Sequence, residues 1–352
     1  MEESRLAFLK RLLSTPGPSG DEEAAARVWR AEARAFADSV YAHVSGNSYA
    51  VLDGPGPRVL LAGHIDEIGL MVTYIDDEGF LGFDAVGGWD AQVLVGQRVR
   101  LLGPAGEVVG VIGKKPIHLL KPDERGQAST IEKMWLDIGV AGRDEAQAHV
   151  RVGTVGVIDA PLYELPNGRL VSRSLDDRVG AFVVLEALRL LGEDRSKARV
   201  AAVATTQEEI TFAGAMTAAF SFDPQIAIAV DVTFATDHPE SEKRQHGDVR
   251  LGGGPVLSRG SANSPLVFRR LTEVAEREQI PYALQMTPRY SGTDADAIHR
   301  ARGGVATGVV SIATRYLHSP NEMVALGDVE QAARLIAAFV RSVESEREFI
   351  PE

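Results

Sequence analysis

Cysteine is absent from the 352-residue sequence, and this absence excludes several classes of protein at once. Without thiols, the chain cannot form a disulfide framework, use a thiolate nucleophile or bind zinc through sulfur. Any metal ion must therefore be held by imidazole and carboxylate groups.

Long apolar runs are absent as well. No segment reaches the roughly 20 apolar residues that a membrane span requires, and residues 1–13 are amphipathic and charged, unlike a signal peptide. From these absences we expect a soluble, cytoplasmic protein.

Basic residues are in deficit, with 37 Lys and Arg against 49 Asp and Glu, which gives a formal charge of −12. Such a surface repels nucleic-acid phosphates and anionic lipid head groups. We therefore expect neither nucleic acid nor a membrane as a partner. The remaining composition, 45% hydrophobic and 24% charged, is typical of a globular protein large enough for a main domain and a smaller module.

The apolar pattern changes twice along the chain. Residues 70–171 consist of short β-rich runs separated by glycine and proline turns. Beyond them, long helices alternate with short, fully apolar strands over residues 198–204, 226–230 and 305–312. Strands of this kind belong to a central sheet that is covered by helices on both faces. We predict an α/β fold, in which residues 1–69 and 172–352 form an α/β/α domain and residues 70–171 are an inserted β-rich module.

Side chains of the types that can bind metal ions stand after five predicted segments of the sheet. In an open α/β sheet, ligands bind at the carboxyl ends of the strands, so we expect these side chains to gather at one edge. They are His64 with Asp66, Asp176, Glu208 with Glu209, Asp231, and His318.

Each of these residues alone is more often a helix cap or a turn residue, and only their joint placement indicates a site. Several acids at one sheet edge would repel one another strongly unless cations were present. Carboxylate and imidazole ligands suit zinc, cobalt or manganese, and a shared carboxylate allows two ions to lie about 3.5–4 Å apart. We therefore predict two divalent metal ions in each subunit.

Six short motifs, which span nearly the whole chain, resemble those of the dinuclear metalloaminopeptidases. This family includes the glutamyl aminopeptidases and the tetrahedral (TET) aminopeptidases, and some of its members are named endoglucanases. The motifs are GHIDEIG at 63–69, SLDDR at 174–178, QEE at 207–209, DVT at 231–233, GTDA at 292–295 and RYLHSP at 315–320.

The resemblance implies a ligand set and an architecture. By this likeness His64 and Asp231 bind one ion, Glu209 and His318 bind the other, and Asp176 bridges both. The α/β/α domain would be a zinc-peptidase-like catalytic domain, and the insertion a β-barrel-like dimerisation domain. Dimers would assemble into a tetrahedral dodecamer.

The resemblance also implies an activity, the removal of N-terminal residues from short peptides. Glu208 would be the catalytic acid/base that activates a metal-bridging water, and Asp66 would orient the first histidine ligand. The chain departs from the family at two positions that are not ligands: Phe234 stands where relatives often have histidine, and Ala313 where they often have proline. These departures bear on substrate preference more than on mechanism.

Other functions stay open on the residues alone. A metal-dependent deacylase or carboxypeptidase can use the same two-ion site. An endoglucanase is a weaker alternative, because the adjacent Glu208 and Glu209 cannot flank a sugar bond and the histidines would have no role. A non-catalytic binding protein is weaker still. His118, in the insertion, is interpreted as a surface turn residue in preference to a group that reaches the pocket of a neighbouring subunit.

Overall fold

Seventeen strands and eleven α-helices make up the structure, a computed structural model that describes residues 1–351. In chain order, the strands are β1 (Ser39–Ala42), β2 (Ser48–Leu52), β3 (Arg58–His64), β4 (Gly69–Ile75), β5 (Leu81–Val86), β6 (Arg98–Gly103), β7 (Gly106–Lys114), β8 (Met134–Asp137), β9 (Val155–Ile158), β10 (Tyr163–Leu165), β11 (Arg169–Ser172), β12 (Arg199–Thr205), β13 (Ile226–Phe234), β14 (Val256–Gly260), β15 (Ala283–Thr287), β16 (Ala306–Thr314) and β17 (Glu322–Ala325). The helices are α1 (Glu3–Ser14), α2 (Glu23–Ala33), α3 (Ala91–Leu94), α4 (Arg143–His149), α5 (Leu175–Glu193), α6 (Glu208–Thr211), α7 (Ala213–Phe222), α8 (Lys243–His246), α9 (Pro265–Arg277), α10 (Ala295–Ile298) and α11 (Leu326–Arg341). Short 3-10 helices span Ile117–Leu119, Ile131–Lys133 and Glu346–Phe349.

An eight-stranded sheet in the order β1-β2-β12-β3-β13-β16-β14-β15 is the centre of the fold. Its four middle strands, β12, β3, β13 and β16, run parallel to one another, so their carboxyl ends meet at one edge. These strands are rich in Ala, Val, Ile and Leu and are buried on both faces, as the sequence pattern predicts.

Helices cover both faces of this sheet. On one face, α5 packs against β3, β12 and β13, and α11 packs on α5. On the other face, α7 contacts β12 and β3, while α10 contacts β13 and β16. The predicted α/β/α layering is therefore confirmed.

A close approach of α5 to β3 places the start of this helix beside the sheet edge. A Cβ atom on Gly63 would lie 2.5 Å from the carbonyl carbon of Gly180, so neither the strand nor the helix tolerates a larger residue there without moving. The first turn of α5 is irregular, because Asp176 and Asp177 have non-helical backbone angles. Their carboxylates are thereby directed towards the end of β3 instead of following the helical spiral.

The segment between β3 and β10 forms a closed six-stranded barrel in the order β4-β5-β8-β7-β6-β9. Its interior is filled by apolar side chains such as Leu70, Val72, Leu101 and Leu136. The predicted β-barrel-like insertion is thus present, while its boundaries at residues 69/70 and 171/172 and its role in dimerisation stay predictions. Strands β10 and β11 pair with β17 in a separate three-stranded sheet.

One detail of the strand prediction is wrong. The sequence pattern ends a strand at Val230 and leaves Asp231 just beyond it, whereas β13 continues to Phe234. Asp231 therefore lies within the strand, paired in register with Ser311 of β16. The pattern missed this because the polar residues of the motif interrupt the apolar run without ending the strand.

Within residues 1–351, none of the helices combines the length and apolar character that crossing a bilayer demands.

Candidate active site

The carboxyl ends of the parallel strands gather the predicted site residues into one cluster. His64 is the last residue of β3 and is in register with Thr205, the last residue of β12. Beyond β12, the chain turns at Gln207, whose φ is 58°, and enters the short helix α6 with Glu208 and Glu209. The side chains predicted from the sequence come together here: His64, Asp66, Asp176, Glu208, Glu209, Asp231 and His318.

The Asp176 carboxylate lies at the centre of the cluster, between the two histidines. Its Oδ1 is 3.1 Å from His64 Nε2, and its Oδ2 is 3.3 Å from His318 Nε2. Each histidine also faces a second acid, since His64 Nε2 is 4.0 Å from Asp231 Oδ1 and His318 Nε2 is 3.5 Å from Glu209 Oε2. The two oxygens of one carboxylate thus point into two adjacent sets of ligand groups.

Asp66 holds three neighbouring groups in place. Its Oδ1 is 3.3 Å from His64 Nδ1, which leaves Nε2 of that ring facing the cluster. The backbone N–H groups of Glu208 and Glu209 donate to the two Asp66 oxygens, each at 3.2 Å. Glu208 Oε2 then lies 3.7 Å from His64 Nε2, while Glu209 turns towards His318, so the adjacent acids diverge.

The segment that follows β5 of the barrel and a buried acid in β17 both hold His318. His318 Nδ1 donates to the carbonyl oxygen of Gly88 at 2.7 Å, so Nε2 is free to face the cluster. The backbone N–H groups of His318 and Asp176 donate to the two oxygens of Glu322, at 3.1 and 3.0 Å. Glu322 is 2% exposed and therefore fixes two predicted ligand residues from inside the protein.

Three buried acids at the site were not assigned a role from the sequence: Glu322, Asp177 and Asp294. Asp177 Oδ2 accepts from the backbone N–H of His64 at 3.2 Å, and Oδ1 accepts from that of Gly180 at 3.0 Å. Asp294 Oδ2 accepts from the Thr205 hydroxyl at 2.5 Å. The motifs containing Asp177 and Asp294 are visible in the sequence, but only the fold shows what these carboxylates contact.

Burial and mutual repulsion raise the pKa of most carboxyl groups in the cluster. Burial, reinforced by the charge of Asp176, raises the pKa of Glu209 to about 8. Burial also raises the pKa of Glu208 and of Asp231 well above their ordinary values, although His64 opposes the shift. So many acids in one buried place are costly for the protein without added positive charge.

Asp176 and the two histidines beside it shift towards their charged forms instead. Burial alone would raise the pKa of Asp176, but hydrogen bonds with His318 and His64 lower it below its ordinary value. The hydrogen bond with Asp176 raises the pKa of His318 to about 9, and that of His64 is also raised because Glu208, Asp176 and Asp66 outweigh its burial. The protons held by these histidines and by the neighbouring acids therefore lie at positions where a cation is stabilised.

The donor atoms fit divalent metal ions. Two groups of three residues could each hold an ion, because the ligand atoms within each group lie within 4.8 Å of one another. The groups are His64 with Asp176 and Glu209, and His64 with Asp177 and Asp231. Glu209 Oε1 is buried and has no hydrogen-bond partner within residues 1–351. Since both Asp177 oxygens already accept backbone N–H groups, Asp176 is the better placed of the two aspartates to bind an ion. Oxygen and imidazole donors without sulfur suit zinc, cobalt or manganese.

A cavity of about 360 Å³ opens onto the cluster. Five site residues line it, namely Asp176, Glu208, Glu209, Asp231 and His318, and strands β13 to β16 supply much of the remaining wall.

His118 lies exposed in the barrel module, on a 3-10 helix. Its predicted place in a surface turn therefore agrees with its exposure, and a role in a neighbouring subunit is untested.

Comparison with known proteins places this chain and its fold among the peptidases. A profile of the family described as M42 glutamyl aminopeptidase matches residues 46–335. The lysyl aminopeptidase of Pyrococcus furiosus is 35% identical over 340 residues, which cover 96% of this chain and 97% of that protein.

Solved structures agree with the family match. The TET aminopeptidase of Thaumarchaeota archaeon SCGC AB-539-E09 is 34% identical, with a TM-score of 0.94 and 98% of each chain covered. The TET1 peptidase of Pyrococcus horikoshii is 31% identical, with a TM-score of 0.86 over 96% of this chain and 100% of that chain. The protein thus belongs to the M42 glutamyl aminopeptidase family. It is an aminopeptidase, a hydrolase of peptide bonds, as the motifs predicted.

Proposed function

We propose that the protein is a dinuclear metal-dependent aminopeptidase that removes N-terminal residues from short peptides. The observation that carries this proposal is the position of Asp176, whose two oxygens face two different histidines at 3.1 and 3.3 Å. One ion would be held by His64 and Asp231, the other by Glu209 and His318, and Asp176 would bridge them. Zinc or cobalt suits this donor set, and manganese is the further candidate.

When bound, such ions polarise a scissile carbonyl and lower the pKa of a bound water towards about 7. The chain supplies the proton transfers. Glu208 lines the cavity with its carboxyl group beside His64, where it can accept a proton from the attacking water and donate it to the leaving amine. Asp66 keeps Glu208 and His64 in these positions through the contacts described above.

The proposal also covers substrate polarity and assembly. The free α-amine of a peptide has a lone pair that one of the bound ions could accept, whereas an N-acylated end has none, so the site would favour a free N-terminus. The TET1 peptidase of Pyrococcus horikoshii can assemble into a tetrahedron or a large octahedral shell. By analogy this chain would be a homo-oligomer, with dimers built through the barrel and joined into a tetrahedral dodecamer. Exposed apolar residues on the barrel, among them Val109 and Val111, support a contact surface there.

The test compares metal-stripped protein with protein reloaded with zinc, cobalt or manganese. Aminoacyl p-nitroanilides and their N-acetylated counterparts are the substrates. We expect no turnover after stripping, recovery after reloading, and activity confined to free-amine substrates. Activity that survives complete metal removal would refute the two-ion proposal, and preference for N-acetylated substrates would favour a deacylase instead. Light scattering of the same sample gives the mass that tests the dodecamer.

A further inference from the structure

The cavity has a second region beside the acidic cluster, formed by side chains from β13, β14, β15 and β16. Thr233, Ser258 and Val309 belong to this region and are 6%, 3% and 2% exposed. Gln285 and Thr287 come from β15, the outermost strand of the sheet at this end. Because this region and the cluster line the same cavity, a peptide with its first peptide bond over the cluster could direct its first side chain here.

This region of the wall carries no charge among the described lining residues. Every charged side chain that lines the cavity belongs to the cluster itself, and the other lining groups are hydroxyl, amide, apolar or glycine. Arg259 and Arg315, which are close in sequence to Ser258 and His318, are engaged elsewhere: Arg259 donates to its neighbouring Gly260 carbonyl and Arg315 pairs with Asp237. A charged side chain entering here would lose water without gaining an opposite charge.

We infer that this uncharged wall is the pocket for the side chain that is removed, and that it selects neutral N-terminal residues over acidic and basic ones. The inference rests on the proposed function, because it assumes that peptide hydrolysis takes place at the cluster. Burial of an ionised side chain without a partner is strongly unfavourable, whereas hydroxyl and amide groups can satisfy a neutral polar side chain and tolerate an aliphatic one.

Gln285 is the residue on which this selection depends most directly. On β15, Ala283, Gln285 and Thr287 are half-buried, while the alternate residues Leu284 and Met286 are exposed. The Thr233 hydroxyl donates to Gln285 Oε1 at 3.0 Å, which holds the amide against the cavity wall. A charge placed at this position would therefore face the incoming side chain.

The first test measures kcat/KM of the metal-loaded enzyme on Leu, Gln, Glu and Lys p-nitroanilides. We expect the Leu and Gln substrates to exceed the Glu and Lys substrates by about 100-fold or more, the range of discrimination expected when a charge has no partner. The highest kcat/KM on Glu or Lys would overturn the inference while leaving the proposed function intact. Failure to cleave any of the four would instead count against the proposed function.

The second test moves the charge. Gln285→Glu is isosteric and keeps an oxygen to accept the Thr233 hydroxyl, and we expect it to raise the Lys/Leu ratio of kcat/KM by about 10-fold or more. Gln285→Lys should raise the Glu/Leu ratio. The matched control is Met286→Glu, which adds the same charge on the exposed side of β15 and should leave both ratios unchanged. Equal ratios in Gln285→Glu, Met286→Glu and the natural protein would overturn the assignment of this wall.

Discussion

Asp66 shows how much of the site one carboxylate can organise. It contacts the imidazole of His64 and accepts the backbone N–H groups of Glu208 and Glu209, so it positions one proposed ligand, the proposed acid/base and a second ligand together. The sequence predicted only its contact with His64. The other two could not be foreseen, because they depend on how the turn after β12 folds back over the end of β3.

Replacing Glu208 by glutamine tests its proposed role as acid/base. Gln cannot accept or deliver the proton, so we expect Glu208→Gln to retain both ions and to lower kcat by roughly 100- to 10,000-fold. Metal content by mass spectrometry and kcat on the best p-nitroanilide are the measurements. The adjacent change Glu209→Gln should instead reduce metal content. Near-normal turnover of Glu208→Gln at full metal content would remove Glu208 from this role.

Glu322→Gln tests whether this buried acid positions the second ion site. Gln offers one acceptor in place of two, so an amide N–H group would face the backbone N–H of Asp176 or His318. We expect a loss of about 10- to 100-fold in affinity for one of the two ions, measured by competition with a chelator.

The control for Glu322→Gln is Asp328→Asn. Asp328 is also buried and accepts two backbone N–H groups, from Gly252 and Gly254 at 2.7 and 2.8 Å, but neither of these is a predicted ligand residue. Both variants should lower the melting temperature, and only Glu322→Gln should weaken metal binding. The same metal affinity in both would show that Glu322 has only a structural role.

At the scale of elements, the sequence pattern predicted the positions of strands better than it predicted the tertiary contacts between elements. The apolar runs at 198–204 and 305–312 match β12 and β16 to within two residues, because a buried parallel strand has to be apolar on both faces. The contact of Gly88 with His318 joins positions 230 residues apart. No local pattern encodes it, since it depends on how the barrel is oriented against the sheet.

Gly88→Ala tests this contact between the barrel and the catalytic sheet. The added Cβ would lie 3.1 Å from His318 Nδ1, which is close enough to displace the ring from its position beside Asp176. We expect metal affinity to fall by about 10-fold, a loss typical of an outer partner of a metal histidine, with the barrel still folded.

Gly126→Ala is the matched control in the same module, because within residues 1–351 a Cβ at Gly126 would meet no atom within 4 Å beyond its two chain neighbours. Affinities from chelator competition, with far-ultraviolet circular dichroism as the measure of folding, separate the two variants. Identical metal affinity in both would show that crowding at position 88 does not displace the His318 ring.

At the scale of the whole molecule, the layering was predictable from the apolar pattern, whereas the barrel was predicted only through the resemblance to a known family. Alternating helices and apolar strands define an α/β/α arrangement, but the barrel depends on pairings such as β4 with β9 and β5 with β8. Its strands are short and irregular, and nothing in their local sequence specifies these distant partners.

The buried acids predict how the metal-free protein responds to pH. The pKa of Glu209 is raised to about 8 and that of Asp294 to about 6, chiefly by burial, and the pKa of His318 is raised to about 9, chiefly by its hydrogen bond with Asp176. The folded metal-free chain therefore binds more protons than the unfolded chain near neutral pH, and its stability should fall as pH rises from about 5 to 8.

Calorimetry across this pH range, with and without zinc, is the measurement. The metal-loaded protein should not show this fall, because the ions take the place of the protons and bind more tightly as the ligands lose them. It shares the remaining surface charge, so it controls for general repulsion. A melting temperature of the metal-free protein that is constant or rises over this range would contradict the prediction.

The wide spacing of the site residues along the chain has a consequence for biosynthesis. His64 precedes Asp176 by 112 residues, and the barrel strands are synthesised between them. His318 enters only after β16, so a chain emerging from the ribosome holds an incomplete centre through most of translation. With the proposed ligands, activity would be withheld until all eight strands of the central sheet have been synthesised, and an unfinished copy would not degrade the peptides around it.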